Sequence, residues 1–597
     1  MAEYIAPIRD LQFVIKQLCE LEQITALPGK GEVTAELVDA VLEEAGKFAT
    51  KVISPLNSVS DKIGCKWNDG AVTTPPGTKE AYRQFIDAGW PALQGDPAFG
   101  GQGLPHVLAH PVSEIWNGAN MAFFLGPMLT LSAVLALTRH GTDEQRRLYL
   151  SKLISGEWMG TMNLTEPQAG SDLAAVRTRA IPQGDHYRLH GTKIFITYGE
   201  HDWTDNIIHL VLARTPDAPE GVKGISMFIV PKFLVNADGS LGARNDVKCV
   251  SIEHKLGIHG SPTAVLSFGD NEGAIGYLFG EENRGLQYMF TMMNSARLEV
   301  GIEGIGIAER AYQRALVYAQ ERVQGRDIAV RSGAPVAIAR HPDVSRMLMS
   351  MRAQTEAMRA MAIMASFSLD LSHQHPDREE RFKHQARVDF ITPIVKGWCT
   401  EQSIEVASLG VQVHGGMGFI EETGAAQHYR DARITTIYEG TTGIQANDLI
   451  GRKLAGEKGL TAKLLIDEMR GFNATLAKEQ HVALISISGQ LDKGLSALSR
   501  ATDWLLATYD KDVRAAAAGA VPYLKLWGIV LGGYQLAKSA LIAKRALDAK
   551  NSDDEFYQAK IVTARFFAEH HLPHASSFSE AIVSGADSAL AFALAPR

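Results

Sequence analysis

Cysteine is scarce: four in 597 residues, Cys19, Cys65, Cys249 and Cys399, far apart and without a CxxC pair. That spacing argues against a disulfide framework and a thiolate zinc site, and fits a reducing interior. A surplus of positive charge is missing too. With 59 Lys+Arg against 67 Asp+Glu and a net charge of −8, the chain lacks the basic balance that supports sequence-independent binding to nucleic acid or an anionic membrane. The most apolar late stretch, 526–537, lies between Lys525 and Lys538 and offers 12 uncharged residues, where a spanning helix needs about 20. It reads as a buried helix. The opening residues MAEYIAPIRD hold no basic segment followed by an apolar run, and the closing ALAPR has no peroxisomal SKL address. A cytoplasmic protein without a membrane span is the expectation.

What is present is length enough for several domains of about 150 residues, with an ordinary globular composition, 46% apolar and 21% charged. Leu11, Val14, Ile15, Leu18 and Leu21 recur at three- and four-residue steps, one face of an amphipathic helix. Helices are expected to about Gly156, with 94–105 (QGDPAFGGQGLP) as a loop among them. From Gly160 to Gly280 the texture turns to β, in 209–213 (HLVLA), 225–230 (ISMFIV) and 263–268 (TAVLSF). Helical spacing returns with Leu298, Ile302, Ile305, Tyr312, Leu316 and Ala319, running to Gln324. It recurs after Gly456 with Leu484, Ile487, Leu491, Leu495, Leu498 and Leu505, and again over 523–547. The architecture expected is mostly α with an inserted β domain. Its parts are an N-terminal helical extension (1–35), a helical domain (36–158), a middle β domain (159–280), a second helical domain (281–455) and a C-terminal helical domain (456–597). No short period of a solenoid is seen.

Three segments have residues that can do chemistry. The stretch 162–172, MNLTEPQAGSD, mixes hydroxyls, glycine and acids. Its N–H and hydroxyl groups can hold an anion, or Ser171 and Asp172 serve as turn and cap residues. In 193–197, KIFIT, strand alternation puts Phe195 and Thr197 on one side. They either flank a planar ring or make an ordinary sheet face. The glycine cluster 412–419, QVHGGMGF, ends a helix and lets backbone approach a ligand closely; 438–445, YEGTTGIQ, follows. Glu439 there, after the β-branched run ITTI, is either a solvated loop carboxylate or a partly desolvated one. Desolvation moves a carboxylate's pKa toward neutrality, which suits a general base.

Taken in order, TEPxxGSD, KxFIT, the β domain, a long helix with Arg297, ERVQGR, QVHGGMGF and YEGTTGIQ resemble the acyl-CoA dehydrogenase family over about residues 40–455. The resemblance implies a helical domain, a β-barrel domain and a four-helix bundle, with FAD between them and no metal. It implies that Glu439 removes the α-proton of an acyl-CoA thioester while its own N–H and a flavin ribityl hydroxyl hold the carbonyl. That hold is needed because the enolate charge must be stabilised as it forms. It further implies that the β-hydride passes to the flavin.

By the same resemblance Met162, Leu164, Thr165 and Ser171 line the flavin and the CoA mouth, Phe195 and Thr197 lie beside the flavin ring, and Thr441 and Thr442 reach it from the catalytic loop. Ser171, Asn294, Arg297 and Gly440 lie on the acyl-CoA side. Arg322, Gln324, Gln412, Val413, His414, Gly415 and Gly416 are implied to grip the FAD of a neighbouring subunit, with His414 alternatively a satisfied core histidine. Three positions depart from the family pattern. Phe195 stands where Trp is common, Arg322-Val323-Gln324-Gly325 lacks the usual Phe, and Gly443 replaces a frequent Gln or Glu.

The tail beyond the family's common length resembles the extra helical domain of very-long-chain acyl-CoA dehydrogenases. Together with the N-terminal helix it looks like the bacterial 3-methylmercaptopropionyl-CoA dehydrogenase-like group, and implies a homodimer. The activity implied is FAD-dependent oxidation of medium- to long-chain fatty acyl-CoA to trans-2-enoyl-CoA in β-oxidation, with electrons passed to electron-transfer flavoprotein. The alternatives are 3-methylthiopropanoyl-CoA as substrate, an acyl-CoA oxidase, and a DNA-binding flavoprotein of the same fold, against which the net charge of −8 counts.

Overall fold

The β-rich runs pair into one eight-stranded sheet in the computed structural model, which describes residues 4–330, 332–550 and 553–594. The first three and last three residues, parts of the stretches read for targeting signals, lie outside the described residues. The strands are Met159–Asn163 (β1), Arg179–Gln183 (β2), His186–Thr197 (β3), Ile207–Ala213 (β4), Ser226–Pro231 (β5), Val247–Ile252 (β6), Thr263–Phe268 (β7) and Ala274–Phe279 (β8). Their order is β6-β7-β3-β8-β5-β4-β1, with β2 also on β3. Only the β1–β4 pairing is parallel among these. Every residue of β4 and β5 is buried, which is why both read as continuous apolar runs instead of alternating ones.

Strand β3 is long enough to pair twice: its first half meets β2 and β8, and its second half meets β7. Between its pairs Lys193↔Leu266 and Ile196↔Ala264 the register slips, so that Ile194 and Phe195 together oppose Val265. This is a β-bulge, and Phe195 sits in it at φ 60°. The strict alternation expected for KIFIT is therefore interrupted: Lys193 is buried and Phe195 exposed, although they are two residues apart.

Two units make up the chain: one is Met1–Gly46, His106–Gly118 and Val300–Arg597, the other Lys47–Pro105 and Ala119–Glu299. The sheet belongs to the second, where Val72, Leu189, Val211, Phe228, Leu266 and Phe268 share a core. The longer helices are His106–His140 (α1), Gly285–Glu321 (α2), Pro342–Gln374 (α3), Arg378–Ile394 (α4) and Thr400–His414 (α5). The short Thr442–Asp448 (α6) follows, then Val482–Tyr509 (α7), Ala520–Asp548 (α8) and Asp554–His570 (α9). The expected stripe from Leu298 lies in α2, which ends at Glu321 and leaves Gln324 in the following turn. The tail stripes are α7 and α8, and all six named residues of the first are buried. The first stripe is buried as expected but is not one helix. Ile8–Phe13 runs into a π-helical turn, Val14–Leu18, and Glu20 at φ 52° breaks the chain before Leu21.

Helices α1 and α8 are both long and apolar enough to cross a membrane, which counting uncharged residues missed; yet 83% and 89% of their most apolar windows are buried inside the protein. Both are core helices. Helix α8 fits the π-helical turn Val395–Cys399 closely. A Cβ on Gly528 would lie 2.1 Å from Trp398 Cγ, and one on Gly397 would lie 2.7 Å from Leu524 Cδ1. On α3, Arg359 is 1% exposed and reaches three carboxylates. Nε and Nη2 donate to Glu114 at 2.8 and 2.6 Å, Nη2 donates to Glu309 at 2.7 Å, and Nη1 donates to Asp10 at 2.5 Å. Lys560 of α9 joins the network through Asp10 and, at 2.9 Å, Glu356.

Candidate active site

The segment 438–440 is held from three elements. The Tyr438 hydroxyl donates to Glu303 of α2, which is fully buried. Gln445 Nε2 donates to the Glu439 carbonyl at 3.1 Å, and Lys396 Nζ donates to the Gly440 carbonyl at 2.7 Å. Glu439 is half-buried at φ 54° and Gly440 follows at φ 92°. A non-glycine residue in the left-handed region costs about 1–2 kcal/mol, and such strain persists where the surroundings over-determine it. Thr441 then accepts from Ile444 N at 3.3 Å to cap α6, and Thr442 Oγ1 donates to Glu401 at 2.7 Å. Burial, with Glu303 adding to it, pushes the Tyr438 hydroxyl well above its ordinary pKa. The structure thus presents Glu439 on a strained, clamped loop. Sequence reasoning missed Lys396 and Glu303; the available signal for the first was a lone lysine inside the apolar run IVKGWC.

In the same unit the end of α2 meets the end of α5. The His414 ring stacks on Tyr318 at 4.3 Å, and its Nδ1–H donates to Gly410 O at 2.7 Å. Burial lowers its pKa, so the placement is that of a satisfied core histidine. Val413 is buried, whereas Gln412, Gly415 and Gly416 are exposed. A Cβ on either glycine would meet nothing within 4 Å, and Gly415 has φ 60°. Arg322 and Gln324 are exposed just past α2, with Arg322 Nη2 3.4 Å from Gln324 Oε1. Their loop is closed by Gln324 N→Val336 O and Val336 N→Gly325 O, both 3.0 Å.

In the other unit a buried ion pair ties two of the predicted segments together. Lys193 Nζ, fully buried, donates to Leu164 O at 2.9 Å and to Glu166 Oε1 at 2.8 Å, while Ile194 N donates to Thr165 O at 2.9 Å. Glu166 also accepts from Arg177 N, Thr178 N and Thr178 Oγ1. Burial alone would raise Glu166, but Lys193 and these bonds hold it at about 2; burial pulls Lys193 down to about 8 against the pull of Glu166. Met162 is buried, Leu164, Thr165 and Thr197 are half-buried, and Phe195 is 58% exposed. Ser171 is exposed, and Asp172 accepts from Ala174 N at 3.0 Å, a cap. Asn294 is exposed on α2, while Arg297 is buried with Nη1 3.5 Å from Asn294 Oδ1.

Taken separately, each unit offers groups that suit part of a flavin nucleotide. The first unit offers an open glycine backbone at Gly415 and Gly416 and an exposed Arg322, groups suited to a pyrophosphate. The second offers an exposed aromatic ring, Phe195, on the strand that also carries Thr197 and pairs through Ile194 N with the Thr165 carbonyl.

Four family models match in order: the acyl-CoA dehydrogenase N-terminal domain at 36–157, middle domain at 161–271 and C-terminal domain at 283–454, and an acetyl-CoA dehydrogenase C-terminal-like domain at 465–593. The 3-methylmercaptopropionyl-CoA dehydrogenase of Ruegeria pomeroyi is 50% identical over 592 residues, covering 99% of this chain and 100% of that protein. The chain belongs to the acyl-CoA dehydrogenase family. A second acyl-CoA dehydrogenase relative, a butyryl-CoA dehydrogenase of Syntrophomonas wolfei, is 35% identical over 602 residues and covers 98% of each chain. The fold is that of the Bacillus anthracis acyl-CoA dehydrogenase solved with FAD, with a TM-score of 0.75 at 20% identity, covering 96% of this chain and 92% of that one. FAD is the cofactor of this family of oxidoreductases, and the extra C-terminal helical domain is part of the shared architecture.

Proposed function

We propose that this acyl-CoA dehydrogenase oxidises 3-methylmercaptopropionyl-CoA to the corresponding trans-2-enoyl thioester and passes the electrons to an electron-transfer flavoprotein. The observation that carries the substrate is the 50% identity to a protein of that name along its whole length. It favours the short thioether over the medium- to long-chain fatty acyl-CoA expected from the motifs. When bound, FAD accepts the β-hydride. Glu439 takes the α-proton. Its carboxylate stands on a loop whose backbone is set by Lys396, Gln445 and Tyr438 before substrate arrives, so little reorganisation accompanies proton removal. Phe195 gives the flavin ring an aromatic face, and the Lys193–Glu166 pair fixes the strand that carries it. Gly415, Gly416 and Arg322 receive the FAD pyrophosphate across a homodimer interface in this reading.

The test is flavin reduction. Holoenzyme is mixed without oxygen with 3-methylmercaptopropionyl-, butyryl-, octanoyl- and palmitoyl-CoA, and the flavin absorbance is followed. The thioether substrate should bleach the flavin fastest, and Glu439→Gln should slow bleaching by about 10²–10⁴-fold. Faster bleaching by octanoyl- or palmitoyl-CoA returns the substrate to the fatty acyl class. Unchanged bleaching in Glu439→Gln refutes the assignment of the base.

A further inference from the structure

A lysine ammonium is expensive to bury, because an isolated charge loses its hydration and needs charge-assisted partners in return. Lys396 is fully buried. It lies in the π-helical turn Val395–Cys399, where such turns often mark functional positions. The turn is fixed from behind by α8, through the Trp398–Gly528 and Gly397–Leu524 approaches. From this rigid seat Nζ donates at 2.7 Å to the Gly440 carbonyl, one residue past the base. Two consecutive residues there have positive φ, 54° at Glu439 and 92° at Gly440. The Lys396 bond is charged and shorter than that from Gln445 Nε2, which also donates to the Gly440 carbonyl, at 3.4 Å. The Gln445 bond to the Glu439 carbonyl is longer, 3.1 Å, and neutral.

We propose that Lys396 is the positioning residue for Glu439, holding the Gly440 peptide so that the carboxylate keeps its place over the substrate's α-carbon. The proposal rests on Glu439 being the base. Loss of the bond lets the strained loop relax, and a displacement of about 1 Å at a reacting group lowers the rate by about 100-fold. Substrate contacts away from the loop are untouched, so the loss falls on turnover and not on affinity.

The experiment uses FAD-loaded Lys396→Met. The expected result is a kcat lower by about 100-fold with KM changed by no more than about threefold. A second readout isolates proton removal. (Methylthio)acetyl-CoA has α-hydrogens but sulfur at the β-position, so no hydride can leave, and its α-hydrogens exchange with deuterium from solvent only through the base. That exchange should slow by the same factor as kcat in Lys396→Met. Wild-type exchange in Lys396→Met, with Glu439→Gln inactive in exchange, overturns the proposal and leaves the base assigned. Wild-type exchange in Glu439→Gln fails the underlying reading instead. If Lys396→Met yields no flavin-loaded protein, Lys396→Gln is read in its place: a neutral donor of shorter reach should lower kcat and exchange together by at least about fivefold, and unchanged values overturn the proposal.

Discussion

Arg359→Met removes the one guanidinium shared by Glu114, Glu309 and Asp10. Glu114 is 2% exposed and cannot turn to water. Removing one partner of a buried ion pair costs about 3–5 kcal/mol, and because three carboxylates lose a partner the upper end applies. At roughly 2–4 °C per kcal/mol for a large domain, the melting temperature should fall by about 10–20 °C. Glu114 is already raised, by burial first and by Glu309 further, against the pull of Arg359. Without the arginine it takes up a proton more readily, so the loss should shrink toward about pH 5 and be largest near pH 8. The control is Arg346→Met, whose partner Asp343 lies three residues away with both side chains about half exposed or more; such a pair contributes about 0.2–1 kcal/mol. Thermal unfolding of both variants followed by far-UV circular dichroism gives the comparison. Melting temperatures for the two within about 2 °C of each other, or a loss that does not vary with pH, would refute the argument that this network is held by desolvated charge.

Gly528→Ala drives a methyl into the Trp398 ring, 2.1 Å from Cγ, and overpacking of this kind costs about 1–3 kcal/mol; a thermal scan should show the loss, and turnover should fall with it because Lys396 shares the turn. Glu166 is held at about 2 in the folded protein, down from 4.5, so it stabilises the fold above about pH 4.5 and that contribution disappears as pH falls from there toward 2. Urea unfolding of wild type and Glu166→Gln should therefore differ most near neutrality and converge in acid; a difference that grows in acid contradicts the assignment. Phe195→Ala should weaken FAD by roughly 2- to 12-fold, the equivalent of about 0.5–1.5 kcal/mol of aromatic contact, while Phe195→Trp should retain it. Release of flavin fluorescence on dilution measures both.

The long elements were legible because their signal is local. Period and length identify α2, α7 and α8, and continuous apolar runs identify β4 and β5 as strands buried on both faces. Glu439 was legible as a candidate through its glycine and hydroxyl neighbours. What could not be read depends on partners distant in sequence. The bulge at Phe195 exists because β7 pairs with β3 one residue out of step, and no property of KIFIT alone dictates that slip. Lys396 reads as an interruption of an apolar run until Gly440, 44 residues on, is seen to accept from it. Asp10, Glu114, Glu309, Arg359 and Lys560 come from across the whole chain, and each alone looks like a solvated helix charge.

The seat of Trp398 against Gly528 also puts the active loop on a clock. A ribosome has made Gly440 well before it makes Gly528, and at about 5–20 residues per second the interval is roughly 4–18 s. Throughout it the turn Val395–Cys399 has no helix behind it, and Trp398, 1% exposed in the finished protein, has no cover from α8. Until α8 is made, the Trp398 face of that turn is apolar surface without the cover it has in the finished protein. The C-terminal helices, remote from Glu439 in sequence, thus cover the turn from which Lys396 reaches Gly440.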